Sequence, residues 1–336
     1  MKNAIIYVFS GTGNTKKACD IYKSEFEKNG VETTLYTVKK GFENLPDPNN
    51  FDYVGFAYPI HGFNAPYIML DLAKALPRAI EKEQNICEKT AKNKQKGSDF
   101  YAKNGKKTCK NKQYFIVKTS GEPLKINNVS SIKFNDIMKR KGYVPFSEYH
   151  YVMPYNMIFR HTDEMAARMK NTLEQLASVE AREVLCGVEH KLSKVPFGRF
   201  VAWVVRIEQP AMKVNGRFFK VDGNKCIKCG ACAKNCPVGN IKMDGNGKFS
   251  FGGDCVMCTR CSFNCPTNAF DIGMLNGWKV NGRYSYKLPE KPEEDKHAWY
   301  CKKAYKRYFE EAQKKIAASE VLIVKKYGNM QNNIVK

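Results

Sequence analysis

An α/β fold with a small cysteine-rich domain behind it is what the sequence predicts, and three observations carry that reading. In the amino-terminal half, short apolar runs alternate with stretches whose apolar residues recur at helical spacing. A polar, glycine-rich loop, Ser10-Gly11-Thr12-Gly13-Asn14-Thr15, joins the first apolar run to the first helical stretch. Eight of the 13 cysteines fall in two runs of identical spacing, the second 29 residues after the first. A length of 336 residues suits about two domains.

The elements follow in order. Residues 4–9 form a continuous apolar run rich in β-formers, which reads as a buried strand. Behind the loop, Ala18, Tyr22 and Phe26 recur every fourth residue and mark one helix face. Further strands read near 31–37, 51–58, 114–119 and 143–153, with helices near 67–76, 132–141 and 163–184. A strand-to-helix junction offers unpaired N–H groups and a positive dipole end to a phosphate. The competing phosphate loops fit poorly. A Walker loop is absent, and a dinucleotide fingerprint would need glycine where Lys16 stands. A turn with no ligand is the plain alternative.

The loop resembles the phosphate loop of flavodoxins, [ST]-x-T-G-x-T, with Ser10, Thr12, Gly13 and Thr15 in the matching positions. The resemblance implies a flavodoxin-like, doubly wound, five-stranded parallel sheet that binds FMN at the carboxyl ends of its strands. It places Tyr58-Pro59-Ile60-His61-Gly62-Phe63-Asn64 and Thr119-Ser120-Gly121-Glu122 beside the flavin as the second and third ligand loops. Pro154-Tyr155-Asn156 follows the fifth strand and joins them. His61 either hydrogen-bonds the flavin or caps a turn. Tyr155 and Asn156 are equally open between ligand and structural roles.

The cysteine runs are Cys226, Cys229, Cys232, Cys236 and Cys255, Cys258, Cys261, Cys265, each C-x2-C-x2-C-x3-C-P. Three thiolates on a tight loop reach one cluster, and the fourth points away to ligate the other. Cys226, Cys229, Cys232 and Cys265 are therefore assigned to cluster one, and Cys255, Cys258, Cys261 and Cys236 to cluster two. Two four-cysteine zinc sites are the alternative, although zinc usually spaces its cysteine pairs further apart. The segment 221–273 closely resembles bacterial ferredoxins with two 4Fe–4S clusters, a small α+β domain. One departure is Asn240, where such ferredoxins usually carry alanine; it bears on packing, not ligation.

The remaining segments are less explicit. Residues 81–112 carry ten lysines against four acids and read as a solvated insertion or a partner dock. Residues 186–220 are a linker whose apolar run 200–205, with Trp203, is expected to pack across the domain interface. From about 295, Trp299, Tyr305, Tyr308, Phe309, Ala312 and Ile316 recur at helical spacing and predict an amphipathic helix docked on the body. The lone Cys19, Cys87, Cys109, Cys186 and Cys301 have no ligand spacing and read as buried or incidental thiols. The expected domains are thus 1–185, a linker 186–220, 221–273 and an extension 274–336.

Composition bounds the function. With 43% hydrophobic and 12% aromatic residues, whole-chain disorder is excluded. No apolar run nears the ~20 residues of a membrane helix, and residues 4–9 are shorter than a signal-peptide core. A soluble cytoplasmic protein is expected, in which 13 cysteines point to metal or redox chemistry. No arrangement for hydrolysis or group transfer is evident.

Taken together, the chain resembles the flavodoxin–ferredoxin fusion proteins of anaerobic bacteria. That implies FMN and two 4Fe–4S clusters, and a redox carrier or adaptor between partner proteins. The alternative is an FMN-dependent reductase of a small molecule, fed through the clusters. A net charge of +23 suits an acidic redox partner, such as a ferredoxin or an oxidoreductase. No nucleic-acid-reading element is recognisable.

Overall fold

Strands that are apolar on both faces must be covered on both faces, which selects a parallel sheet between two helix layers. The structure, a computed structural model, describes residues 1–80, 112–288 and 301–331 and shows that arrangement. Residues 81–111, with Cys87 and Cys109, and Trp299 lie outside the described residues.

In chain order the first domain runs β1 (Lys2–Val8), α1 (Asn14–Lys28), β2 (Val31–Thr37), β3 (Tyr53–Pro59), α2 (Tyr67–Ala75), β4 (Lys112–Ser120), α3 (Ile132–Arg140), β5 (Tyr143–Val152) and α4 (Asp163–Leu185). The five strands stand in the order β2-β1-β3-β4-β5, every neighbour parallel. That is the flavodoxin-like doubly wound order, with its switch point between β1 and β3. Alternation along β1 sends Ala4, Ile6 and Val8 toward α1 and α4, and Ile5 and Tyr7 toward α2 and α3. Thr162 caps α4 by accepting the Met165 N–H, with Asp163 and Glu164 in the first turn.

The linker departs from expectation. It is a nearly continuous helical run: α5 (Gly198–Val204), a 3₁₀ turn (Val205–Ile207) and α6 (Glu208–Asn215). Phe200 and Trp203 do not pack across an interface; both side chains are exposed, and Ala202 is the residue turned inward. α5 lies against α3 and the 3₁₀ turn Lys125–Ser131, with its large side chains facing out.

The cysteine-rich domain is built twice. Its elements are β6 (Lys220–Val221), α7 (Ala231–Lys234), β7 (Ile241–Met243), β8 (Phe249–Phe251), α8 (Arg260–Phe263) and β9 (Phe270–Asp271). The left-handed residues Lys228, Gly230 and Gly239 of the first repeat recur as Met257, Thr259 and Asn268 of the second. Strands are exchanged between repeats: β6 pairs with β9 and β7 with β8, both antiparallel. Asn240 is buried, and its side chain accepts the Asp254 N–H at 2.8 Å and donates to the Gly216 carbonyl at 3.4 Å.

Last comes α9 (Lys302–Gln331), which lies along α4 with Tyr305, Phe309 and Ala312 buried. Tyr308 Oη accepts the Val152 N–H at 3.2 Å, and Lys315 bridges Glu180 and Glu183 at 2.9 and 2.8 Å. Among the described residues no helix is long and apolar enough to cross a membrane.

Candidate functional site

The loop after β1 turns tightly because Gly13, at φ 106°, caps α1 in the left-handed region. The Lys16 N–H donates to Ser10 Oγ at 3.3 Å, which draws the loop around the helix start. Thr15 Oγ1 and Thr119 Oγ1 lie 2.7 Å apart and tie this loop to the end of β4. Asn14 donates to the Pro154 carbonyl at 3.0 Å and Asn156 to Thr12 Oγ1 at 3.4 Å, which ties it to the segment after β5.

These loops enclose a cavity of about 300 Å³ at the carboxyl ends of the strands. Its wall includes Ser10, Gly11, Thr12, Asn14 and Thr15, then Pro59, Ile60, His61, Gly62 and Phe63, then Thr119, Ser120, Gly121 and Glu122, with Pro154, Tyr155 and Asn156. Three predicted residues stand elsewhere. Tyr58 is fully buried in the core beside Phe134, because its position in β3 faces α2 and α3. Asn64 is buried and holds its own turn, donating to the Gly62 carbonyl at 2.8 Å. Gly13 lies behind the loop, in the wall of the neighbouring cysteine cavity.

Sequence reasoning missed the roof and one wall. Glu208 and Met212 of α6, Met257 and Trp278 cover the cavity, and Asn127 enters from the turn before α3. Met257 lies inside the second cysteine run, at a position the spacing leaves unspecified; the others belong to no motif and arrive through long-range contacts. The Glu208 carboxylate packs so closely on Gly62 that a Cβ there would lie 2.1 Å from Oε2.

The cavity wall is polar and partly unsatisfied. Among the described residues, His61 Nδ1 and Asn127 Oδ1 are buried with no hydrogen-bond partner. Burial pushes the His61 ring down to about 4, against a hydrogen bond with the Val256 backbone, so the ring is neutral at pH 7. Burial likewise pushes the Glu122 carboxyl up, while Tyr155 and Asn127 donate to it. The Tyr155 ring lies over Gly121, where a Cβ would meet it at 2.3 Å. Unsatisfied polar atoms and a helix start share this wall, which fits a polar aromatic ligand that carries a phosphate.

The cysteines separate into two groups of four. Cys226, Cys229, Cys232 and Cys265 share a cavity of about 500 Å³, with Cys261 also on its wall. Cys236, Cys255, Cys258 and Cys261 share a smaller apolar one. Each group joins three cysteines of one run to the fourth of the other. Backbone N–H groups approach sulfur in matching pairs: Lys228 to Cys226 and Met257 to Cys255, Asn240 to Cys236 and Ala269 to Cys265, at 3.3–3.4 Å. Burial pushes the Cys255 thiol up to about 12 and raises Cys258 and Cys261 too. Such thiols ionise only when a metal takes the place of the proton. Among the described residues no group of three His, Cys, Asp or Glu side chains stands ready to hold a single metal ion.

The two sites meet. Met257 lies between Cys255 and Cys258 in sequence and lines both the second cysteine group and the roofed cavity. Gly11 touches the carbonyl of Cys258; a Cβ on Gly11 would lie 2.5 Å from that oxygen. Arg260 donates to the carbonyls of Ser10 and Gly11, the latter at 2.9 Å. Val256 and Cys258 are part of the same hydrophobic core as β1 and β3.

Comparison with known proteins agrees with the cysteine geometry: residues 225–269 match the family described as the 4Fe-4S dicluster domain. No curated protein matches the chain. Among solved structures, a protein described as flavone reductase is similar at 15% identity over 77% of this chain and 86% of that one, TM-score 0.32. General stress protein 14 of Treponema denticola, solved with FMN, is similar at 11% identity over 56% and 100%, TM-score 0.31. A flavodoxin of Streptococcus pneumonia TIGR4 is similar at 16% over 52% and 94%, TM-score 0.28. The sheet assignment rests on strand order, not on these scores. The chain joins a flavodoxin-like sheet to a ferredoxin-type 4Fe–4S domain.

Proposed function

We propose that this chain is an electron-transfer flavoprotein that holds FMN and two 4Fe–4S clusters and exchanges electrons between them and partner redox proteins. Contact between the two sites carries this reading, with Met257 and Cys258 set directly against the wall of the flavin cavity. The residues after β1 would hold the phosphate, and the segments after β3, β4 and β5 the ring system. Cys226, Cys229, Cys232 and Cys265 would hold one cluster, Cys236, Cys255, Cys258 and Cys261 the other. When bound, the clusters supply single electrons and the flavin stores one or two.

The protein's own contribution is placement. Arg260 clamps the cluster-bearing loop to the phosphate loop, and Glu208, Met212 and Trp278 roof the ring site. His61 stays neutral, and the Tyr155 hydroxyl donates to Glu122, whose carboxyl burial pushes up. A lysine-rich, basic surface favours an acidic partner, whose approach it would accelerate.

An anaerobic titration tests the reading. The purified chain should carry about eight irons, as two four-iron clusters require, and one FMN. A reductant that enters at the clusters should reduce the flavin at a rate independent of protein concentration, because the domains are tethered. A rate proportional to concentration, or zinc without labile sulfide, refutes it.

A further inference from the structure

Segment 197–218 is inside out. Its inward face is small or polar, with Ala202, Gln209 and Asn215 buried; Gln209 donates to the Ala65 carbonyl at 2.8 Å. Its outward face carries Phe197, Phe200, Trp203, Ile207, Val214 and Phe218. Phe200, Trp203 and Ile207 are 64%, 67% and 78% exposed. Their spacing follows one side of the helical run through α5 and α6. Solvated helices show the opposite pattern.

Charge identifies what covers this stripe. Between 191 and 221 there are seven Lys or Arg residues and one acid, Glu208, which is packed against Gly62; Lys191 and Arg199 pair with Glu189 and Asp136, which leaves Lys194, Arg206, Lys213, Arg217 and Lys220. A second copy of the chain would set these cations against their own kind. An anionic bilayer meets them, while aromatic and aliphatic side chains enter the boundary between headgroups and acyl chains. We propose that 197–218 is a membrane-docking surface that lies on anionic lipid without crossing it. Glu208 and Met212 of the same run roof the candidate cavity, so docking holds that cavity within about one helix diameter, ~10 Å, of the lipid. The proposal does not depend on what the cavity binds.

Vesicle partitioning of the full, cofactor-loaded chain tests it. Vesicles of phosphatidylcholine with phosphatidylglycerol should bind the protein at least about 10-fold more tightly than phosphatidylcholine alone. The triple variant Phe200→Ser, Trp203→Ser, Ile207→Ser should lose at least about 10-fold in partitioning to the anionic vesicles while keeping its visible absorbance, since all three side chains are exposed. On the unmodified chain, lipids brominated in the acyl chain should quench tryptophan emission. Three results overturn the proposal. They are wild-type partitioning by the triple variant, which means cationic adsorption alone; no quenching; and a stable dimer in solution that the triple substitution dissolves, which means a second copy covers the stripe. A stripe that instead captures an acidic protein while vesicles stay unbound overturns it as well.

Discussion

Replacing Gly11 with alanine puts a methyl group at the tightest point between the two sites. Its Cβ would lie 2.5 Å from the Cys258 carbonyl oxygen and 3.2 Å from Cys258 Cβ. Ordinary contact between carbon and oxygen needs close to 1 Å more than the first of these. Neither partner yields easily, since one is loop backbone and the other is fixed by Arg260 and by the core around Val256. Overpacking of this kind costs about 1–3 kcal/mol. Because the strain sits in the phosphate loop, it should appear as FMN affinity lowered by about 5- to 150-fold, together with slower transfer from cluster to flavin. Gly223, where a Cβ meets nothing within 4 Å, supplies the control: Gly223→Ala should change neither quantity. FMN binding is read by quenching of flavin fluorescence, transfer by anaerobic stopped-flow absorbance. A Gly11→Ala protein that binds FMN within about twofold of the parent, with unchanged transfer, refutes the contact.

Four further outcomes are expected. Cys236→Ser should damage the cluster of Cys255, Cys258 and Cys261 and spare the other; iron analysis with low-temperature spectra reads which one is lost. Thr12→Ala should weaken FMN by about 1–3 kcal/mol, the scale for a hydrogen bond to a charged group, and leave riboflavin binding unchanged. The rings of His61 and His150 have their pKa values pushed down to about 4 and about 3 by burial, so as pH falls below about 6.5 the unfolded chain takes protons that the folded one refuses. Stability should therefore drop by roughly 1–2 kcal/mol per ring between pH 7 and pH 5, and urea titrations of His150→Gln should show a shallower acid limb. Electron exchange with an acidic ferredoxin should slow steeply between low and physiological salt, and neutralising Lys103, Lys106, Lys107 and Lys110 should flatten that slope if the stretch is the dock.

What the sequence disclosed follows physical rules. Residues 4–9 and 114–117 are apolar without interruption because parallel strands are covered on both faces. The 29-residue period shows because each repeat needs the same left-handed turns around its cysteines. Tyr58 reads as a wall residue because the loop begins beside it; strand alternation turns it the other way. Glu208, Met212 and Trp278 carry no local signature, since a roof is made by whichever distant residues the chain folds back over the site. The run 200–205 misled for a related reason: hydropathy says which residues are apolar, not which way the helix is turned.

The exchange of strands and of fourth cysteines between the repeats bears on how the protein matures. With each group of four cysteines holding a cluster, as proposed, the first cluster to assemble would staple the two repeats together, since each cavity draws cysteines from both. Loop closure, the main entropic obstacle to gathering the second set of four thiolates, is then already overcome. Maturation should therefore be close to all-or-none. Under iron limitation, a cell would hold fully loaded and empty chains in preference to half-loaded ones.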